Sequence, residues 1–211
     1  MLVDPDEDRV TVDGRVVKPV TRHRYLVLNK PLGVITTAKD ESERTTVLDV
    51  VGEEGMAGHR LFPVGRLDAD TSGLLLLTDD GELAFRLTHP RYKVSKEYIG
   101  IVVGSPNAAD LESLRTGVKL DDGMTAPAEV EVIAVTPGAR ESVLAELRIV
   151  IREGRHRQVR RMLHAIGHKV QSLQRVGFGP LKLGRLKVGG WRLLGDAEVA
   201  ALRGAVGVSA T

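Results

Sequence analysis

The chain has 211 residues, 42% apolar and 27% charged, the composition of a globular protein with room for one large or two small cores. The absence of cysteine excludes a disulfide framework, a thiolate nucleophile and a cysteine-ligated zinc site. The formal net charge of +2 hides an uneven spread: residues 140–203 hold fourteen Lys/Arg against five Asp/Glu, a surplus of nine, whereas residues 1–60 hold nine against eleven and residues 61–139 seven against twelve. A basic C-terminal third suits a polyanionic partner, or equally a solvated basic face.

The first nine residues are acidic and lack the basic-then-apolar order of a signal peptide, and no apolar run approaches the ~20 residues of a membrane-spanning helix. A soluble, cytoplasmic protein without a membrane partner is the expectation. Residues 3–17 alternate apolar and polar around Asp13-Gly14, which predicts a hairpin. Residues 25–29 read as a strand, Lys30-Pro31 to Gly33 as a turn, and residues 34–37 as a second strand. A short helix is expected over 45–51 and a strand over 61–64. The four leucines 74–77, between turn residues, predict a strand buried on both faces.

Helix is predicted over 81–87, strand over 94–104, and helix over 107–115 after Ser105-Pro106. Strands follow at 118–120, 128–135 and 143–151, with a turn at Gly123. Residues 156–166 give the clearest helix, because Val159, Met162, Leu163 and Ile166 form one apolar stripe while Arg157, Arg160, Arg161 and His164 fall elsewhere. Short strands at 170–173, 179–183 and 191–194 precede a last helix over 196–203. Without βαβ regularity, the pattern predicts an α+β fold built on largely antiparallel sheet.

The segment from Gly65 to Leu75 (GRLDADTSGLL) packs polar and charged residues between two apolar runs, with a glycine near each end. Such a loop can carry a catalytic group, or can merely satisfy its own backbone through Asp, Thr and Ser side chains. Its pattern resembles the catalytic motif of pseudouridine synthases of the RsuA/RluB type. Three further segments resemble that family's motifs in type and order: Asn29-Lys30-Pro31 with Gly33, Lys96-Glu97-Tyr98, and Glu153 to Met162 (EGRHRQVRRM).

The resemblance implies a pseudouridine synthase catalytic domain over residues 21–205, an α+β fold whose mixed, mainly antiparallel sheet is flanked by helices and holds a central active-site cleft, preceded by a remnant of an RNA-binding module in residues 1–20 and followed by a flexible tail, 206–211. It implies isomerisation of a uridine in ribosomal RNA, 23S rather than 16S, without cofactor or metal. Asp68 is then the catalytic carboxylate, Arg160 the cation paired with it, and Tyr98 the plane against which a flipped uracil lies. Asp70 is the variable member of the loop. Arg66 is associated with the flipped-out nucleotide, while Lys30 serves either the wall of the site or the RNA. Arg155, Arg157 and Arg161 are either phosphate contacts or plain surface. Partners are ribosomal RNA or a ribosomal subunit assembly intermediate, and the default state is a monomer. A non-catalytic RNA-binding or assembly factor on this fold would keep the basic third but could dispense with Asp68. A glycosidase would want two supported acids, and no second acid here has such a context. The six histidines offer one i, i+4 pair, His164 and His168, which Gly167 interrupts, so no metal site is expected.

Overall fold

A computed structural model of the chain describes residues 11–12, 15–16, 22–38, 40, 42–138 and 143–208. The strands β1 (Thr11–Val12) and β2 (Arg15–Val16) pair as a small antiparallel hairpin. The rest of residues 1–20, where the module remnant is expected, lies outside the described residues. Next come β3 (Tyr25–Lys30), α1 (Val47–Met56), β4 (Phe62–Pro63), β5 (Ser72–Thr78), α2 (Gly81–Thr88) and β6 (Lys96–Val103). The chain continues through α3 (Ala108–Thr116), β7 (Lys119–Leu120), β8 (Gly123–Met124), β9 (Glu129–Pro137) and β10 (Val143–Ile151). It closes with α4 (Gln158–Ala165), β11 (Val170–Phe178), β12 (Leu181–Lys182), β13 (Trp191–Leu193) and α5 (Asp196–Ala205).

One nine-stranded sheet carries the molecule, in the order β13-β3-β5-β11-β6-β10-β9, with β12 beside β11 and β4 beside β5. The β5·β11 pairing is parallel, and the other pairings of this sheet are antiparallel. The leucine run is buried on both faces for the reason its composition suggests. Leu75 and Leu77 join Leu26 and Leu28 in one core, while Leu74 and Leu76 join Tyr25 and Val27 in the other. The first core is roofed by α1, α3 and α4 through Val47, Val51, Leu114, Val159, Met162 and Leu163. The second is covered by α2 and α5 through Leu83, Ala84, Leu87 and Leu202. Each such leucine stabilises the fold by about 1.5–3 kcal/mol of burial.

The structure corrects several expectations. Residues 34–37 do not form a strand. Ile35 makes a single bridge to Thr46, and Thr36 Oγ1 donates to the Leu67 carbonyl at 2.7 Å, so this segment is tied to the loop before β5 instead of a sheet edge. The helix expected over 45–51 starts from an N-cap at Thr46, whose side chain and that of Asp49 form a capping box, and extends to Met56 past a kink at Gly52. β11 runs to Phe178, well past residue 173. The tail expected from residue 206 begins in packed structure, because Val206 is buried in the second core and Val208 packs against it.

One glycine is required by the central pairing. Gly73 has φ +108°, and a Cβ there would lie 2.2 Å from the Arg175 carbonyl oxygen. Only glycine lets β5 approach β11 this closely.

Candidate active site

The loop from Gly65 to Thr71 enters β5 and is held from several sides. Gly33 N–H donates to the Ala69 carbonyl at 2.8 Å, Thr71 N–H to the Asp68 carbonyl at 3.0 Å, and Thr36 Oγ1 accepts from Leu67 N–H at 3.2 Å. Beside it opens a cavity of about 400 Å³, within the range of small-molecule sites. Asp68, Arg66, Tyr98, Arg155, Arg157, Arg160 and Arg175 all line it. The cleft expected at the middle of the sheet is therefore present, floored by β6, β11 and the end of β10.

Asp68 is half-buried, and its carboxylate accepts no hydrogen bond from a described residue. The one cation within 4.0 Å of it, among the described residues, is Arg157 at 4.0 Å. Asp70, by contrast, is fully engaged. Arg157 grips its two carboxylate oxygens at 2.9 and 2.6 Å. Arg160 Nε lies 3.3 Å from the same carboxylate, and Arg160 Nη2 donates to the Asp70 carbonyl at 2.6 Å. The Arg157 hydrogen bonds hold the Asp70 carboxyl below the usual carboxylate range. The expected Asp68–Arg160 ion pair is thus not formed, because Asp70 and its backbone take up the Arg160 guanidinium.

Arg157 owes its position to the start of α4. It is the N-cap residue with φ +49°, a left-handed conformation that costs a non-glycine residue on the order of 1 kcal/mol or more. Arg157 makes no side-chain cap; Gln158, the first helical residue, instead reaches back to the preceding turn, its Oε1 accepting from Arg155 N–H at 3.0 Å. The α4 stripe then seats Val159, Met162 and Leu163 in the core, which fixes where Arg160 points.

Lys30 does not line the cavity. Its side chain is 0% exposed and its Nζ donates to the Pro31 and Val34 carbonyls at 2.9 and 2.6 Å, stapling the turn that follows β3. Burial pushes this amine down to about 8, with Asp68 and Asp70 opposing. Arg155 and Arg161 are not free for phosphate either. Both are taken up by the β7–β8 hairpin: Arg155 donates to Asp122 Oδ1 at 3.2 Å and to the Gly123 and Met124 carbonyls, and Arg161 pairs with Asp121 and, at 2.8 Å, with Asp122. Arg66 is exposed at the cavity mouth and forms no ion pair with a described residue, which leaves it available to a ligand.

Tyr98 is 8% exposed, in β6, and its hydroxyl makes no hydrogen bond to a described residue. Across the sheet floor it stands level with Arg175, which in turn stands level with Gly73. Arg175 was missed by sequence reasoning. The strand was expected to end at residue 173, so an arginine two residues later read as loop. In fact Leu173 and Arg175 both line the cavity, and Arg175 is 1% exposed. Lys96, two residues before Tyr98 on the same face of β6, also lines the cavity.

A half-buried, unliganded carboxylate beside an aromatic floor and a ring of arginines can serve an anionic, ring-bearing substrate. The comparisons agree with that chemistry. The family model described as RNA pseudouridylate synthase matches residues 24–165. The chain is 42% identical over 207 residues to an RNA pseudouridine synthase of Aquifex aeolicus, covering 98% of this chain and 80% of that protein. It is also 42% identical over 199 residues to ribosomal large subunit pseudouridine synthase B of Bacillus subtilis, covering 93% and 78%. A crystal structure of a pseudouridylate synthase superposes with a TM-score of 0.76 at 29% identity, covering 96% of this chain and 83% of that one. The matched segment contains the loop of Asp68, the strand of Tyr98 and the helix of Arg160, and the chain belongs to the RNA pseudouridylate synthase family.

Proposed function

We propose that this enzyme, acting as a cytoplasmic monomer, isomerises a uridine in large-subunit ribosomal RNA with Asp68 as its catalytic carboxylate. The observation that carries the assignment is the contrast within one loop. Asp70 is saturated by Arg157 and Arg160, whereas Asp68 faces the cavity with no hydrogen bond from a described residue and a cation 4.0 Å away. The large-subunit substrate rests on the likeness to the Bacillus subtilis enzyme.

The uridine leaves its stack and enters the cavity, where its ring lies against Tyr98; stacking of this kind is worth ~1–3 kcal/mol per base. Asp68 supplies electron density to the sugar carbon as the bond to the ring nitrogen breaks. Arg157 balances the charge of the Asp68 carboxylate, and Arg160 fixes the loop through Asp70. Arg66, at the mouth, meets the phosphate backbone or fills the place the base has left. The unbonded Tyr98 hydroxyl is placed to take part in the later proton transfer.

The test is pseudouridine mapping of 23S ribosomal RNA incubated with the protein or with Asp68→Asn. One new site made only by the intact protein is expected, with RNA affinity nearly equal in the two. Turnover by Asp68→Asn, or no site on naked RNA and on ribosomal particles alike, would refute the assignment.

A further inference from the structure

The cavity holds two cations that the reaction as described does not use. The Arg175 side chain is 1% exposed, and among the described residues its one side-chain hydrogen bond is from Nε to the Leu74 carbonyl at 2.8 Å. Its Nη2 is buried and meets no acceptor among the described residues. The Lys96 ammonium donates to the Val94 carbonyl at 3.2 Å and forms no ion pair with a described residue. Both stand over one ring: the Arg175 guanidinium lies 5.2 Å and the Lys96 ammonium 5.9 Å from the centre of Phe178.

Such an arrangement is unfavourable in an empty protein. Two like charges share one aromatic ring, and cation–π attraction does not neutralise either. Burial, reinforced by Arg175, pushes Lys96 down to about 8, with Glu153 opposing. Glu153 itself is occupied by Ala126 N–H, Arg155 and Gln158. A protein keeps unpaired buried cations beside a cavity when the missing negative charge arrives with, or forms within, the ligand.

We infer that Lys96 and Arg175 form a cationic wall that holds the uracil ring by its carbonyl oxygens and stabilises the negative charge it acquires when it separates from the ribose. The inference rests on the reaction proposed above. In that step the C1′–N1 bond breaks with its electron pair on the ring, spread onto O2 and O4, while Asp68 balances the electron deficit at C1′. The ring turns, its C5 electron pair forms the C1′–C5 bond, and C5 loses a proton to a base as N1 gains one. Product and substrate are isomers, so no further reactant is needed. A wall that grips the detached ring also keeps it from escaping during the turn. Preorganised donors aimed at developing charge are worth ~10²–10³-fold in rate when one is removed.

The experiment compares single-turnover rates of C1′–N1 cleavage, read as loss of the starting nucleoside, on a hairpin cut from 23S ribosomal RNA around the mapped target, made with uridine or with 5-fluorouridine at that position; the fluorinated ring has no C5 proton to lose, so the two RNAs are compared at the cleavage step alone. Fluorine withdraws electrons from the ring and stabilises its anion, so it should partly replace the cations. Lys96→Gln is expected to be slower by ~10–100-fold on uridine, with half-saturating RNA concentration within about threefold of wild type. Its deficit on 5-fluorouridine should be at most about a third as large. Arg175→Lys, which keeps the charge, should stay within about tenfold of wild type. The thermal midpoint of Lys96→Gln should not fall, because an unpaired, half-buried charge has been removed. Equal deficits on the two RNAs, no deficit, or an effect confined to half-saturation would overturn the inference while leaving the ribosomal substrate standing. An inactive wild type would overturn both.

Discussion

Replacing Lys30 by methionine isolates a single buried charge. The side chain is 0% exposed and its amine is lowered from 10.5 to about 8. A lysine whose folded value lies below its unfolded one binds fewer protons in the folded state. Its burial penalty is therefore full below about pH 8 and fades as pH rises toward 10.5, so this group makes the protein more stable with rising pH. Each tenfold change in proton affinity is worth about 1.4 kcal/mol, which puts the full penalty at about 3 kcal/mol, of which about 2 kcal/mol is relieved between pH 8 and 10. Lys96 is lowered to about 8 as well and adds a similar rise. Tyr25, pushed up to about 12 by burial and by its hydrogen bond to Asp80, takes back only a few tenths of a kcal/mol by pH 10.

At neutral pH Lys30→Met loses two hydrogen bonds, leaving carbonyls that each cost ~1–3 kcal/mol, against relief of the ~3 kcal/mol charge penalty. The absolute change is thus small or moderately unfavourable, and the pH dependence is diagnostic. Urea unfolding at pH 8 and pH 10 should show the variant gaining about 2 kcal/mol less than the wild type across that interval. Parallel stability curves for the two proteins would refute the burial argument.

Two other substitutions test separate parts of the fold and site. Gly73→Ala should destabilise the protein by at least ~3 kcal/mol in the same assay, since the new methyl meets the Arg175 carbonyl at 2.2 Å and cannot rotate away; a loss below ~1 kcal/mol would mean that β5 and β11 are not held this close. Asp70→Asn removes the acid that engages Arg157 and Arg160, a half-exposed cluster, so unfolding free energy should change by less than ~1 kcal/mol. RNA affinity should rise and its log–log salt slope should steepen by about one as the freed guanidinium meets phosphate. An unchanged slope would place Arg157 away from the RNA backbone.

Much of this fold was legible because its elements follow simple patterns. The four leucines marked the strand between the two cores, and the stripe Val159, Met162, Leu163 marked α4. The motif loop placed Asp68 at the cavity, with Tyr98 and Arg66 around it. What could not be read was partner choice. Sequence gives no reason for Arg160 to prefer Asp70 over Asp68, a choice made by the left-handed start of α4 and the backbone of the loop. Nor does it tell that Asp121 and Asp122, in an unremarkable turn, occupy Arg155 and Arg161. Sequence left Lys30 between the wall of the site and the RNA; all six residues of β3 are buried, so its amine instead staples the turn that follows. Segment 34–37 has strand composition, but its hydrogen bonds go to the motif loop, a non-local choice that local propensity cannot encode.

The position of β11 has a consequence for how the enzyme is made. On one side of it lie β13, β3 and β5, bearing the Asp68 loop; on the other lie β6, β10 and β9, bearing Tyr98. β11 is the element that bridges these two half-sheets, and it follows β3, β5, β6, β9 and β10 in the chain. A nascent chain can pair β3 with β5, and β10 with both β6 and β9, before β11 has emerged. It acquires neither a closed floor nor a usable carboxylate until residue 178 has left the ribosome, so the catalytic centre assembles well after the Asp68 loop and the Tyr98 strand have themselves been synthesised.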